Sequence, residues 1–141
     1  MKSLRTLITI CLLFTAVTLF AQTENQLMTV KIPFGFSVQD HLLPAGEYNI
    51  FTVLPGWMIR ITSTDGQHSA FVTTIPQYAS SPSRKSRLIF HRYEDEYFLA
   101  QVRTLGQTVG RYPISSKRAM ERASSGSSLS ITTVLAEVSH R

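Results

Sequence analysis

Cysteine is almost absent from this sequence. The single cysteine, Cys11, lies inside an apolar run near the start of the chain. A disulfide framework, a thiol nucleophile and a zinc site with cysteine ligands are therefore excluded for everything after that position. A chain of 141 residues is nevertheless long enough to bury a hydrophobic core without disulfides or metal.

Other catalytic patterns are lacking as well. The four histidines show no H-x-x-x-H or H-E-x-x-H spacing, which would place two imidazoles on one metal. Serine is abundant, but no G-x-S-x-G element is present. Glu94, Asp95 and Glu96 are adjacent acids, and three carboxylates in a tight turn splay apart instead of supplying the roughly 6–8 oxygens that Ca²⁺ takes. We predict no catalytic residue, no metal site and no cofactor.

Charge of either sign is modest. Without Lys2 and Arg5, 12 of the 14 basic side chains remain, against 9 acidic ones. Because this excess is small and no recognition motif is present, we expect no nucleic-acid partner. The basic residues form two clusters, Arg84, Lys85 and Arg87, and Lys117, Arg118 and Arg122. These clusters are either solvated surface or a patch that contacts an anionic lipid, a polysaccharide or another envelope component.

Residues 1–21 have the pattern of a secretory signal peptide. Lys2 and Arg5 give a positive start, residues 7–20 are apolar and uncharged, and Ala21 supplies a small residue at the cleavage position. The apolar stretch is shorter than the roughly 20 residues that a membrane-spanning helix needs. We predict an exported protein, periplasmic or extracellular, with no transmembrane span after cleavage; a retained anchor is the alternative.

Alternating apolar and polar residues, separated by turn residues, dominate residues 22–141, which we predict to form a single β-rich domain. The clearest turn is Asp65-Gly66, because a type I′ hairpin turn needs positive φ at both positions. With these two residues as the loop, the predicted pairs are Ile61 with Ala70, Ile59 with Val72, and Trp57 with Thr74. The predicted core face carries Trp57, Ile59, Ile61, Ala70 and Val72.

A second hairpin is predicted around Glu94, Asp95 and Glu96. A three-residue loop places Tyr93 opposite Tyr97, whereas a two-residue loop shifts the pairing by one position. With the longer loop, the apolar face carries Leu88, Phe90, Phe98, Ala100 and Val102. The opposite face then carries His91, Tyr93, Tyr97 and Gln101.

One helix is predicted, at residues 115–123, where Ser115 or Ser116 can cap the start and good helix formers follow. Residues 124–128 have the composition of a flexible Ser/Gly linker, and residues 131–138 are predicted as the last strand. Seven or eight short strands with one late helix indicate an all-β, mainly antiparallel domain. A small, partly closed barrel is favoured, and a two-sheet sandwich is the alternative.

Two pairs of short motifs run through the chain. V-K-I-P-F-G-F at residues 30–36 is followed by L-P-A-G-E-Y at 43–48, and L-I-F-H-R-Y at 88–93 is followed by Y-F-L at 97–99. This pattern resembles a group of small exported bacterial proteins, in which a charged helix often lies where the basic helix lies here. The resemblance spans nearly the whole chain after residue 21. It implies an exported β-domain and carries over no catalytic residue.

Four side chains are candidates for ligand binding: His91, Tyr93, Tyr97 and Trp57. Exposed aromatic rings at the mouth of a small barrel, that of Phe71 included, can bind an apolar or sugar ligand, and ordinary packing between strands is the alternative. His91 is also a candidate general base, provided that a carboxylate orients its ring. The favoured function is a non-enzymatic binding or interaction module. The alternatives are a structural envelope or stress protein without a small ligand and a hydrolase or isomerase using His91.

Overall fold

The structure, a computed structural model, describes residues 24–53 and 57–138. The predicted signal peptide lies outside the described residues, as does His140. Strands make up 61% of the structure and helix 7%, which confirms the predicted all-β class with one helix. Within the described ranges, no helix is long and apolar enough to cross a membrane.

Eleven strands and one helix are formed by the described residues. The strands are β1 (Asn25–Ile32), β2 (Phe36–Val38), β3 (His41–Leu43), β4 (Gly46–Val53), β5 (Met58–Ser63), β6 (Ser69–Tyr78), β7 (Arg87–Tyr93), β8 (Glu96–Arg103), β9 (Val109–Pro113), β10 (Leu129–Leu135) and β11 (Glu137–Val138). The helix, α1 (Lys117–Ser124), lies between β9 and β10. Ser116 is its N-cap, since its hydroxyl oxygen accepts a hydrogen bond from the Ala119 amide at 3.1 Å.

The strands form one mixed sheet in the order β10-β7-β8-β9-β6-β5-β4-β1-β11. Neighbours on this path are antiparallel, whereas the short β2 pairs with β3 and, in parallel, with β8. The sheet is not closed into a barrel; a small, partly closed barrel was the favoured expectation and a two-sheet sandwich the alternative. The strand count is also higher than predicted, because β2, β3 and β11 are too short to show a clear alternation.

Two segments change partner and bend the sheet into two halves. Residues 69–73 of β6 pair with β5, and residues 74–78 of the same strand pair with β9. At the other side, β10 pairs with β7, and after Ala136 the chain continues as β11 on β1. The Ala136 amide donates to the Ser86 carbonyl at 3.0 Å, which fixes this second corner.

The core lies between the two halves and includes a group of packed rings. Phe90 is fully buried and meets Phe36 edge-on, with ring centroids 5.5 Å apart. Phe36 in turn packs edge-on against Tyr48 at 5.4 Å. Burial raises the pKa of the Tyr48 phenol, which therefore stays protonated and donates to the Pro44 carbonyl at 2.6 Å.

The register of the β5–β6 hairpin is confirmed, but the turn is not the predicted type. Ile61 pairs with Ala70 and Ile59 with Val72, as expected. Only Gly66 has a positive φ, and its amide donates to the Ser63 carbonyl at 2.9 Å, so the type I′ prediction is wrong. The loop is longer by one residue on each side, which leaves the register unchanged.

Asp65 stabilises this turn through its carboxylate. Its Oδ1 accepts hydrogen bonds from the Ser63 hydroxyl at 2.6 Å and from the Gln67 amide at 2.9 Å. The hydrogen bond from Ser63, followed by that from the Gln67 backbone, lowers the pKa of Asp65 from its ordinary value of 3.8.

We expect this turn to lose stability in acid. The pKa of Asp65 in the folded state lies below 3.8. The stability that its hydrogen bonds contribute is therefore fully present above pH 3.8 and is lost as the pH falls through the folded-state pKa. Melting temperatures measured between neutral pH and pH 2 check this expectation. Asp65→Asn keeps an oxygen acceptor but does not titrate, so its melting temperature should fall less with pH than that of the unmodified protein. Equal slopes for the two proteins contradict the prediction.

The β7–β8 hairpin has the two-residue loop, so the longer loop was the wrong choice. Tyr93 pairs with Glu96, His91 with Phe98 and Phe90 with Leu99. Glu94 takes the positive φ that this short turn requires. A bulge after Ile89 then restores the pairing of Leu88 with Val102 that the longer loop predicts. The pairs between the turn and the bulge are thus those that the two-residue loop predicts, and the pairs beyond the bulge are those that the three-residue loop predicts.

Candidate functional site

An open groove lies where β6 leaves β5 and joins β9. It has a volume of about 650 Å³. Trp57 and Tyr78 line it although their side chains are 74% and 81% exposed. The other lining residues are Thr73, Thr74, Ile75, Pro76, Gln107, Val109, Arg111 and Ile114. We call this site the aromatic groove.

The backbone of β6 creates one wall of the aromatic groove. The Thr74 amide donates to the Trp57 carbonyl at 2.7 Å, so alternate residues of β6 direct their amides toward the β5 side. Pro76 lies two residues further along, beyond the start of β5. Among the described residues its missing N–H therefore removes no bond between strands, and they leave this edge of β6 open.

Polar groups of the aromatic groove lie beside its rings. Thr73 and Thr74 contribute hydroxyls, Gln107 an amide and Arg111 a guanidinium. Burial lowers the pKa of the Arg111 guanidinium, which places this cation in a partly dehydrated position. A ligand in the groove therefore meets aromatic faces and hydrogen-bonding groups together.

Sequence reasoning identified Trp57 but misjudged its burial. Its pairing with Thr74 is confirmed, which gives it the same face as Ile59. Trp57 was expected in the core, yet it stands just before β5, where the described residues leave it largely uncovered. Tyr78 was missed because the predicted pairing of this hairpin ends at Thr74. Extending the alternation of β6 beyond Thr74 would have found it.

His91 and Tyr93 lie in a different place, a cleft of about 270 Å³ between the β7–β8 hairpin and α1. His91 is half-buried, and its strand neighbours are Ile131 on β10 and Phe98 on β8. Within the described residues, no carboxylate forms a hydrogen bond or ion pair with His91. The oriented histidine required for general base catalysis is thus not formed here.

Tyr97 faces the other side of the hairpin. Its ring stacks on Phe34 with centroids 3.8 Å apart, and both rings pack against the core. The prediction that Tyr97 shares a face with His91 and Tyr93 is therefore wrong, because the two-residue loop shifts β8 by one position. The four predicted ligand-binding residues are distributed over three separate places.

The acidic turn fastens the helix to the sheet. Glu94 and Asp95 are exposed at the tip, whereas the carboxylate of Glu96 forms ion pairs with both Arg118 and Arg122 of α1. Among the residues that the structure describes, no group of three potential ligands could hold a metal ion. These contacts give Glu96 a structural role.

The six predicted patch residues do not form one surface. Arg118 and Arg122 form ion pairs with Glu96. The Nζ atom of Lys117 lies 3.9 Å from Oε1 of Glu121. Arg84, Lys85 and Arg87 lie at the opposite end of β7, roughly 20 Å away for a strand of this length. Only this second cluster is separated from acidic partners in the described ranges.

The chain matches no protein-family model, no curated protein and no solved structure.

Proposed function

We propose that this protein is an exported, non-enzymatic binding module that takes a carbohydrate in the aromatic groove. The observation that carries the proposal is that Trp57 and Tyr78 line one concave site while remaining 74% and 81% exposed. Large aromatic side chains gain more from burial than most residues, so two exposed rings in one concavity favour a ligand that covers them.

A sugar fits this combination of surfaces better than a purely apolar ligand. A pyranose ring has an apolar face of C–H groups, which stacks on an aromatic ring, and an edge of hydroxyls, which requires hydrogen-bond partners. The rings of Trp57 and Tyr78 supply the first kind of contact, and Thr73, Gln107 and Arg111 supply the second. The volume of about 650 Å³ lies within the range of ordinary ligand sites.

The lining of the groove supports binding without chemistry. None of the described residues that line it is a carboxylic acid, a histidine or a cysteine. Hydrolysis of a glycosidic bond ordinarily uses a pair of carboxyl groups on either side of the bond. A bound sugar in this groove therefore meets recognition groups but no acid–base pair.

Fluorescence provides a direct test, because Trp57 is the single tryptophan of the chain. We expect its emission to be that of a water-exposed indole and to shift to the blue, saturably, when a neutral trisaccharide binds. Cellotriose, maltotriose and chitotriose are the probes. Tyr78→Ala should weaken binding at least tenfold, which corresponds to about 1.4 kcal/mol, because it removes one of the two stacking rings.

Phe71→Ala is the matched control for Tyr78→Ala. Phe71 is an exposed aromatic residue of the same strand that does not line the groove, so its removal should leave the titration unchanged. An emission spectrum that none of the three sugars moves contradicts the carbohydrate proposal. That result favours the structural alternative, for which the outward apolar residues of the terminal strand β10 offer a surface: Leu129, Ile131 and Leu135.

A further inference from the structure

Two arginines lie side by side on the outer face of the sheet. Arg87 of β7 and Arg103 of β8 are directly paired across the two strands. Their neighbours Leu88 and Val102 are buried in the core, so the arginines point to the opposite face. Neighbouring strands are only about 4.8 Å apart, and like charges in directly opposite positions destabilise a sheet.

The row of residues at this register contains no acid. Across five strands it runs through Leu135, Arg87, Arg103, Gly110 and Gln77. In the described part of the chain, neither Arg87 nor Arg103 forms an ion pair, whereas Arg60, Arg92, Arg118 and Arg122 each do. The sheet thus brings two positive charges together and provides no carboxylate to compensate them.

Both guanidinium groups also retain an unused donor. The Nε atoms of Arg87 and Arg103 are buried and have no hydrogen-bond partner among the described residues. A buried donor without a partner destabilises the folded state. Because both side chains are only half-buried, rotation about their side-chain bonds can turn the Nε edge of each guanidinium toward solvent. The Nε and Nη donors then form the fork that holds two oxygens of an anion.

The neighbouring residues make room for this arrangement. Arg103 lies against Gly110, where a Cβ atom would come within 3.1 Å of both its Cδ and its Nη1. Any side chain at residue 110 would therefore push the guanidinium away. The Ser83 hydroxyl donates to the Lys85 carbonyl at 2.8 Å, and the Ser86 hydroxyl accepts from the Leu105 amide at 3.0 Å. These bonds hold the basic loop beside the pair.

We propose that Arg87 and Arg103 form a binding site for a phosphate or sulfate group, with Arg84 and Lys85 adding positive charge at its edge. A tetrahedral oxyanion has enough oxygens to engage two guanidinium forks at once, whereas one carboxylate satisfies only one of them. The site lies on the outer face of the sheet and does not depend on the carbohydrate proposal for the aromatic groove.

Nuclear magnetic resonance of the arginine Nε–H groups tests this site directly. Inorganic phosphate or inorganic sulfate is added to the purified protein. It should shift the Nε–H signals of Arg87 and Arg103 saturably and leave that of Arg92 unchanged. Arg92 is on the same strand, and its Nε already donates to the Glu94 carbonyl at 2.7 Å. Uniform small shifts of all arginine signals overturn the proposal, since they indicate only screening by salt.

Substitution by lysine separates the fork from the charge. Arg87→Lys and Arg103→Lys keep the positive charge but remove the Nε–H and the fork, so each should weaken phosphate binding at least tenfold. Arg92→Lys is the matched control and should leave the affinity unchanged. Unaltered affinity in both test variants overturns the proposal. Amide spectra report whether each variant is folded, and the shifts in the unmodified protein test the site independently of the variants.

The source of the oxyanion is distinguished by a vesicle experiment. Vesicles of phosphatidylcholine with phosphatidic acid present a phosphate monoester at a membrane, and vesicles of phosphatidylcholine alone do not. If the protein sediments only with the vesicles that contain phosphatidic acid, and Arg103→Lys abolishes this sedimentation, the oxyanion is a lipid headgroup. Binding of inorganic phosphate without sedimentation supports a phosphate group on a soluble molecule. Sedimentation that Arg103→Lys leaves intact overturns the assignment of this site to a headgroup.

Discussion

Phe90→Ala is expected to lower the free energy of unfolding by about 3–5 kcal/mol, as is typical when a buried phenylalanine is truncated. Phe90 is fully buried and contacts two other rings edge-on, with centroid distances of 5.1 Å to Phe34 and 5.5 Å to Phe36. Removing the ring leaves a cavity lined by those rings. Because domains of this size are stable by only about 5–15 kcal/mol, a large part of the stability is lost.

Chemical denaturation of the purified protein measures this change. Phe71→Ala removes the same side chain from an exposed position, and it should cost no more than about 0.5 kcal/mol. The comparison separates the effect of a cavity from that of a smaller side chain. Similar losses for the two variants, or a loss below about 1 kcal/mol for Phe90→Ala, contradict the central position of this ring.

Glu96→Gln is expected to release α1 from the sheet. The helix has only eight residues, and none of them is buried. A helix this short is not stable by itself. The carboxylate of Glu96 bonds to both Arg118 and Arg122. Replacing it with a neutral amide should lower the hydrogen-exchange protection of the helix amides about tenfold, or about 1.4 kcal/mol for local opening.

The control for this second prediction lies on the helix itself. Glu121 forms an exposed pair with Lys117 at 3.9 Å, and such pairs contribute at most about 0.5 kcal/mol. Glu121→Gln should therefore change protection by less than threefold. High salt should reproduce part of the effect of Glu96→Gln, because the two arginines are partly exposed. Unchanged protection in Glu96→Gln shows that packing alone holds the helix.

Local signals allowed much of the sheet to be predicted. Alternation predicted the core-facing residues of β5 and β6, and the Asp65-Gly66 turn gave the correct register for these two strands. The register survived a wrong turn type because a symmetric lengthening of the loop keeps the same pairs. In the β7–β8 hairpin local signals are insufficient, since one loop residue and one bulge decide which face Tyr97 occupies.

Both proposed sites depend on relationships between distant parts of the chain. The aromatic groove requires β6 to change partner at residue 74, which brings Trp57 and Tyr78 to one place. The oxyanion site requires Arg103 to pair with Arg87 and to lie over Gly110. Composition and spacing identified Arg87 and Trp57 as candidates. Their partners could not be predicted, because the alternation within a strand does not indicate which other strands it pairs with.

The segment from β10 to β11 has a consequence for the order of folding. It is the last described part of the chain to be synthesised, yet it covers β7 with its first strand and β1 with its second. The Met28–Val138 pair spans almost the whole described sequence, and contacts of such separation slow folding. Until this segment docks, both outer edges of the sheet remain open for other chains to pair with. A delay at this step therefore exposes the newly made protein to aggregation.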